Sequence, residues 1–275
     1  MGDLEHDTSV EPVEEGRWTA TLSPAWEIWG PMGGYVAAIA LRAAGRASPF
    51  ARPASLSCHY LGVARFGPVD ITVAVRRAGR TALSQRVEIR QGERPILDAA
   101  IWSIGDVPGL EHAVAVAPEV PGPDGLRSME QLRPDEPPFF PFWDNVESRP
   151  VDFESTWPPQ GPRPPVWRSW ARFRPTATFE DPWVDAARAV ILLDVQSWPA
   201  ASRYHAWREH SFVAPSLDLF VAFHEAAPEC EWLLADGYAP TAGDGLFGWW
   251  GRLWSVDRRL VASAAGQALF RSASS

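Results

Sequence analysis

The same order of elements is laid down twice along this chain of 275 residues, and such a repeat admits few folds. In the first part, EIWGPMGGYVAAIALRAAGRAS predicts a Gly-rich turn leading into a helix that is small and apolar on most sides. Short runs of β-branched and aliphatic residues follow: PASLSCHYLGV, VDITVAVRRAG, TALSQRVEIRQG and RPILDAAIWSIG. They are separated by turn signals such as Phe66-Gly67-Pro68 and Gln91-Gly92-Glu93. Between Pro108 and Pro165 the composition changes, and more than half of the 27 prolines fall there. The order then returns, as a strand candidate VWRSWARFR, a helix, and the strand candidates APSLDLFVAFHE, EWLLADGYAP, GLFGWWGRLWSVD and RRLVASAAGQALFR.

Within the repeat, Ser55-Leu56-Ser57 falls on Ser216-Leu217-Asp218 at a spacing of 161, and Ile96–Ala100 falls on Leu260–Ala264 at 164. On that register Ser103 is the first-half counterpart of Gln267. Each half is then one helix laid over an antiparallel sheet of about five strands, which leaves an edge or a face in need of a partner. Two copies in one chain satisfy each other. The expected class is α+β, with a first unit over 1–106, a Pro-rich linker over 107–141 that wraps against the surface, and a second unit over 142–275.

Composition removes several functions. A net charge of −9 argues against nucleic-acid binding, which needs a basic surface. No apolar run approaches a membrane span, and the start MGDLEHDTSVEPVEEG is acidic where a signal peptide would be basic, so a cytoplasmic protein is expected. Every Lys/Arg position is Arg. The absence of Lys excludes Schiff-base chemistry and the phosphate-cradling P-loop, each of which needs a Lys amine. Cys58 and Cys230 form no CxxC, the histidines show no metal spacing, and there is no GxSxG nucleophile elbow.

One carboxylate stands out. In DPWVDAARAVILLDVQSWPA, Asp181 followed by Pro182 is a good helix start, and the helix is expected to run to about Trp198, where Pro199 stops it. Helical steps from Trp183 pass through Ala187, Val190 or Ile191 and Asp194, which places Asp194 on the buried face. A buried carboxylate is costly unless partners wait for it or it borders a wet cleft. Both alternatives stay open at this point.

The chain resembles a tandem double-hotdog protein of the acyl-CoA thioesterase II (TesB-like) family. The carriers are WGPMGGYVAAIAL, SLDLFVAFH, LFGWWGRLWSVDRRLVAS and the final GQALFR, together with the helix segment ILLDVQSW. The resemblance implies a double hotdog fold and hydrolysis of acyl-CoA, without a metal or an organic cofactor. It places the catalytic Asp at Asp194, the hydroxyl at Ser216 and the catalytic Gln at Gln267. Thioester hydrolysis needs a held water, a proton acceptor and donors for the developing oxyanion, and these three side chains have that chemistry. On a regular strand Ser216 and Asp218 would share one face, with Leu217 and Leu219 on the other. Gly33 and Gly34 are candidates for close backbone approach to the acyl group, with tight helix packing as the other reading. Arg76, Arg77 and Arg80 are candidates for the coenzyme A phosphates. The first-half helix carries no acid, so a single active site per chain is expected. A protein that binds acyl groups without efficient hydrolysis is the alternative. Free sheet edges leave a homo-oligomer open.

Overall fold

The second-half helix begins where capping places it: Asp181 Oδ1 accepts the Trp183 N–H at 2.8 Å, and Pro182 occupies the first turn. It ends at Asp194, short of the expected Trp198. Pro199 does not stop it. A separate helix, Ser197–His205, carries Pro199 in its first turn, where a missing N–H costs nothing because those donors have no partner within the helix. Nor is the interior face a narrow stripe, since every residue from Trp183 to Asp194 is buried. That is the pattern of a helix enclosed on all sides.

The structure, a computed structural model, describes residues 1–136, 138–154, 160–205 and 212–272. In chain order its first half holds α1 (Leu4–Asp7), β1 (Glu11–Glu14), β2 (Arg17–Leu22), α2 (Gly33–Arg46), β3 (Arg52–Tyr60), β4 (Gly67–Ala78), β5 (Ala82–Gln91) and β6 (Arg94–Ile104). The segment between the halves contains α3 (Met129–Leu132). Then come β7 (Val146–Pro150), β8 (Val166–Phe173), α4 (Pro182–Asp194), α5 (Ser197–His205), β9 (Phe212–Val213), β10 (Asp218–Phe223), β11 (Leu233–Gly243), β12 (Leu246–Ser255), β13 (Leu260–Leu269) and β14 (Arg271–Ser272).

Twelve strands form one antiparallel sheet in the order β1-β2-β4-β5-β6-β3-β10-β13-β12-β11-β8-β7, and β9 pairs with β14 apart from it. The seam between the halves is β3 against β10, with Cys58 opposite Leu219 and Leu56 opposite Val221, all fully buried. The edge that each half would leave bare is thus covered by the other. Against the inner face lie α2 and α4, packed antiparallel. The start of α2 meets the end of α4 at Gly34 and Asp194, and the end of α2 meets the start of α4 at Gly45 and Trp183. This is a double hotdog. Among the described residues no helix is long and apolar enough to cross a membrane.

The Pro-rich segment packs as well as connects. Ala117 is buried with Trp170, Trp232, Leu234 and Trp254 in a second small core, and the Trp170 indole N–H donates to the Pro121 carbonyl at 2.9 Å. This accounts for three of the 15 tryptophans.

The repeat register differs from the spacing of 164 expected from the sequence. On β6, Ile89 pairs with Leu97 and Arg90 with Pro95, which leaves Ile96 as an extra residue. On β13, Leu253 pairs with Ala262 and Trp254 with Leu260, which leaves Val261. These two bulges superpose Ile96 on Val261, a spacing of 165 instead of 164. A shift of one residue exchanges the faces of everything after it. Gln267 therefore corresponds to the outward Trp102, and Ser103 to Ala268.

The junction of the two helices generates a stability prediction. A Cβ on Gly34 would lie 2.9 Å from the Asp194 Cβ and 3.1 Å from the Ile191 Cα, so one helix must move. Gly34→Ala should cost about 1–3 kcal/mol by overpacking. Gly248→Ala, where a Cβ meets nothing within 4 Å, should change stability by less than about 0.5 kcal/mol. Urea midpoints of the two variants check this, and equal midpoints would mean that the helix junction is slack.

Candidate active site

Asp194 is the last residue of α4, and its carboxylate meets the first turn of α2. Met32, the residue that caps α2, offers no side-chain acceptor, so the Gly34 N–H is taken by Asp194 Oδ2 at 2.7 Å. Ser216 Oγ donates to Asp194 Oδ1 at 3.2 Å. Each carboxylate oxygen thus has one donor and a second lone-pair direction to spare. Asp194 is 6% exposed, and this burial pushes its carboxyl up to about 6, against the opposing pull of the Gly34 N–H and the Ser216 hydroxyl. At neutral pH it is ionised, yet more basic than an ordinary carboxylate.

Ser216 reaches Asp194 because the chain bends. It precedes β10 as an isolated bridge to Ala268, and the bend at Leu217 turns Ser216 inward while Asp218 stays on the other face with Phe220. Leu217 is 36% exposed and Leu219 1%. Ser216 and Asp218 therefore do not share a face, contrary to the regular-strand expectation. The hydroxyl is available to Asp194 only through this irregularity.

Gln267 is not part of the group. The bulge at Val261 turns Ala262, Ala264, Gly266 and Ala268 inward and leaves Gln267 exposed on the outer face. There it lines a groove of about 510 Å³ with Asp218, Phe220 and Trp250. Its backbone N–H donates to Asp218 Oδ1, and among the described residues its side-chain amide makes no hydrogen bond. The inward position next to it is Gly266, where a Cβ would lie 2.6 Å from the Asp218 carbonyl oxygen and 3.1 Å from the Trp249 indole nitrogen. No side chain fits there without a shift of backbone.

The glycines serve helix packing and the carboxylate at once. A Cβ on Gly33 would lie 3.1 Å from Asp194 Oδ2 and 3.3 Å from Tyr60 Oη. The Tyr60 hydroxyl is buried with no hydrogen-bond partner. Sequence reasoning passed over Tyr60, although alternation along SLSCHYL puts it on the inner face with Leu56 and Cys58, and that signal was legible. Arg76, Arg77 and Arg80 are exposed at the other end of the sheet: Arg77 lies level with Ser84, Trp102 and Ser55, five residues along β3 from Tyr60. They are not brought to Asp194. The basic side chains at the Tyr60 end are Arg65, Arg90 and Arg94, and none of them forms an ion pair among the described residues.

The opposite end of the helix pair is the pseudo-symmetric counterpart of this site. There α2 ends in Arg46, the Trp183 ring fills the space over Gly45, and Arg42 pairs with Asp181 at 2.8 Å. No carboxylate of α2 faces the start of α4.

The model of the acyl-CoA thioesterase N-terminal domain matches residues 22–104, and that of the C-terminal domain matches 116–270. The chain belongs to the acyl-CoA thioesterase family. Among solved structures it is similar to an acyl-CoA thioesterase II, TesB2, from Mycobacterium marinum, at 24% identity and a TM-score of 0.80 over 99% of both chains. A putative thioesterase II from Thermobifida fusca matches at 22% identity and 0.79, over 98% of both chains. A hot dog protein of unknown function from Alicyclobacillus acidocaldarius matches at 19% and 0.79, over 98% of this chain and 97% of that one. At these identities the likeness shows the fold, and it agrees with the sheet order and the paired inner helices.

The raised carboxyl of Asp194 has a thermodynamic consequence. Its folded-state value of about 6 exceeds the ordinary 3.8, so between these values the folded state binds more protons than the unfolded chain. Stability from this group therefore falls as pH rises from about 4 to 6 and stays level above. Asp194→Asn should raise the unfolding free energy at pH 7 by up to about 3 kcal/mol, and the gain should vanish near pH 4. Denaturant titrations of both proteins at the two pH values check it; a gain that persists at pH 4 would place the effect outside this carboxyl.

Proposed function

We propose that this chain hydrolyses acyl-CoA thioesters to a free acid and coenzyme A, with Asp194 as general base. The observation that carries the reading is a basic, buried carboxylate held by Gly34 and Ser216 at the amino end of a helix. Water attacks the thioester carbonyl carbon while Asp194 accepts its proton. The tetrahedral oxyanion collapses, the C–S bond breaks, and the leaving thiolate recovers the proton from Asp194. Ser216 keeps the carboxylate oriented. The helix amino terminus favours the negative charge that persists through this cycle.

For substrate binding, the phosphates of coenzyme A fit the unpaired Arg65, Arg90 and Arg94 better than Arg76, Arg77 and Arg80, because the former share the end of the sheet with Tyr60. For the acyl chain, an aromatic group stands beside the start of α5: Trp29 meets Phe140 and Trp198 edge to face, each at 6.0 Å. Trp29 is held at φ 54°, a left-handed conformation costly for a bulky residue. One observation favours the alternative of acyl-group binding without efficient turnover: the amide of Gln267 lies on the outer face, away from the hydrogen-bonded Asp194 and Ser216.

The deciding experiment is a hydrolysis screen over acyl-CoA esters of graded length, with released thiol as readout. Asp194→Asn should lower kcat by about 10²- to 10⁴-fold on the best ester. Ser216→Ala should slow turnover and Ser216→Thr should restore it, since Thr keeps the hydroxyl. An Asp194→Asn variant as active as the parent would remove Asp194 from the chemistry, and a parent inactive on every ester would favour the binding protein. Separately, Arg94→Ala should raise KM for acyl-CoA and leave it unchanged for the same acyl group on pantetheine, which lacks the nucleotide phosphates.

A further inference from the structure

A thioesterase needs a donor for the carbonyl oxygen as well as a base for the water, and none of Asp194, Ser216 and Gly34 supplies it. The Ser216 hydroxyl and the Gly34 N–H are both spent on Asp194. Gln267 faces away. One hydroxyl near the carboxylate is unused. Tyr60 ends β3 at the seam between the halves, where its N–H donates to the Leu217 carbonyl at 2.9 Å, next to the bend that turns Ser216 inward. Its phenol end lies against Gly33 on the inner face. The point where a Gly33 Cβ would sit is 3.3 Å from Tyr60 Oη and 3.1 Å from Asp194 Oδ2, so the hydroxyl and the carboxylate flank the same bare stretch of helix. The hydroxyl oxygen is buried without a geometric hydrogen bond, and its polar neighbour on the same strand face is the Cys58 thiol, a weak partner that leaves the hydroxyl available to a bound group.

We propose that Tyr60 is a further catalytic residue of this chain, donating its hydroxyl hydrogen to the thioester oxygen beside Gly33 while Asp194 activates the water from the other side. The inference rests on the hydrolase reading for its reaction and on the position of the phenol for its site. Burial and the neighbouring Asp194 charge hold the Tyr60 phenol well above its ordinary value. It stays protonated across the working pH range and acts as a hydrogen-bond donor, with no proton transferred. The hydrogen bond strengthens as the carbonyl oxygen becomes negative, which is where a donor accelerates the step. The role also gives Gly33 a purpose beyond packing, since any side chain there would occupy the space that the carbonyl needs.

Tyr60→Phe removes one oxygen and leaves the ring that packs on the core. We expect kcat to fall on the order of 10²-fold with KM raised no more than about tenfold, and the unfolding midpoint to stay or rise. Binding is measured in parallel with two non-hydrolysable probes. One is a ketone analogue of the acyl-CoA with methylene in place of sulfur, which keeps the oxygen. The other is the S-alkyl-CoA thioether, which lacks it. The Phe variant should bind the ketone roughly five- to tenfold more weakly and the thioether as the parent does. Parental kcat in the Phe variant, alongside an Asp194→Asn variant that has lost activity, would overturn the role of Tyr60 and leave the hydrolase reading intact. A parent that hydrolyses nothing but shows the selective loss of ketone affinity would sustain the donor and end the hydrolase reading. Equal weakening of both probes would make Tyr60 a packing residue and overturn the inference.

Discussion

The contact on which the site depends is the hydrogen bond from the Gly34 N–H to Asp194 Oδ2, made across the two halves of the chain. A helix starting with Gly33-Gly34 has no side chain to cap its first turn, and a helix ending in Asp194 has a carboxylate with nowhere polar to go. Antiparallel packing brings these two deficits together. The bond resolves both and fixes the carboxylate where the backbone of α2 is bare. Because the same packing buries the carboxylate, it also makes it more basic.

The approximate two-fold relation between the halves makes the asymmetry instructive. Both ends of the helix pair have a close approach at a glycine, Gly34 at one and Gly45 at the other. At the first the intruding group is a carboxylate; at the second it is the Trp183 ring, with Arg42 drawn to Asp181. One architecture thus supplies an end with a buried carboxylate and an end closed by a tryptophan ring, and the difference lies in which residues terminate and begin each helix.

Much of the fold could be read from the sequence, because helix starts and strand composition are local. Asp181-Pro182 marked the start of α4, and the recurrence of helix and strands marked the two halves and their mutual cover at the seam. Asp194 was legible from its apolar surroundings. What failed was parity. A single extra residue at Val261 turned Gln267 outward, and a bend at Leu217 turned Ser216 inward, neither of which alternation can anticipate. The seam of β3 with β10 is a tertiary fact, so the nearness of Tyr60 to Asp194, 134 positions further along the chain, was invisible to local patterns even though the inward face of Tyr60 was not. The distance of Arg76, Arg77 and Arg80 from Asp194 was hidden for a related reason: which end of β4 lies near the start of α2 depends on the register of the whole sheet.

The central claim is that burial at the helix junction makes Asp194 a base suited to neutral pH. Its carboxyl carbon can be followed directly by ¹³C NMR in protein labelled at Asp side chains, with the Asp194→Asn variant identifying the resonance. Titration between pH 3 and 8 should show this one carbon changing shift near pH 6. A midpoint near the ordinary 3.8 would contradict the account, since the group would then be a solvated carboxylate with no special basicity.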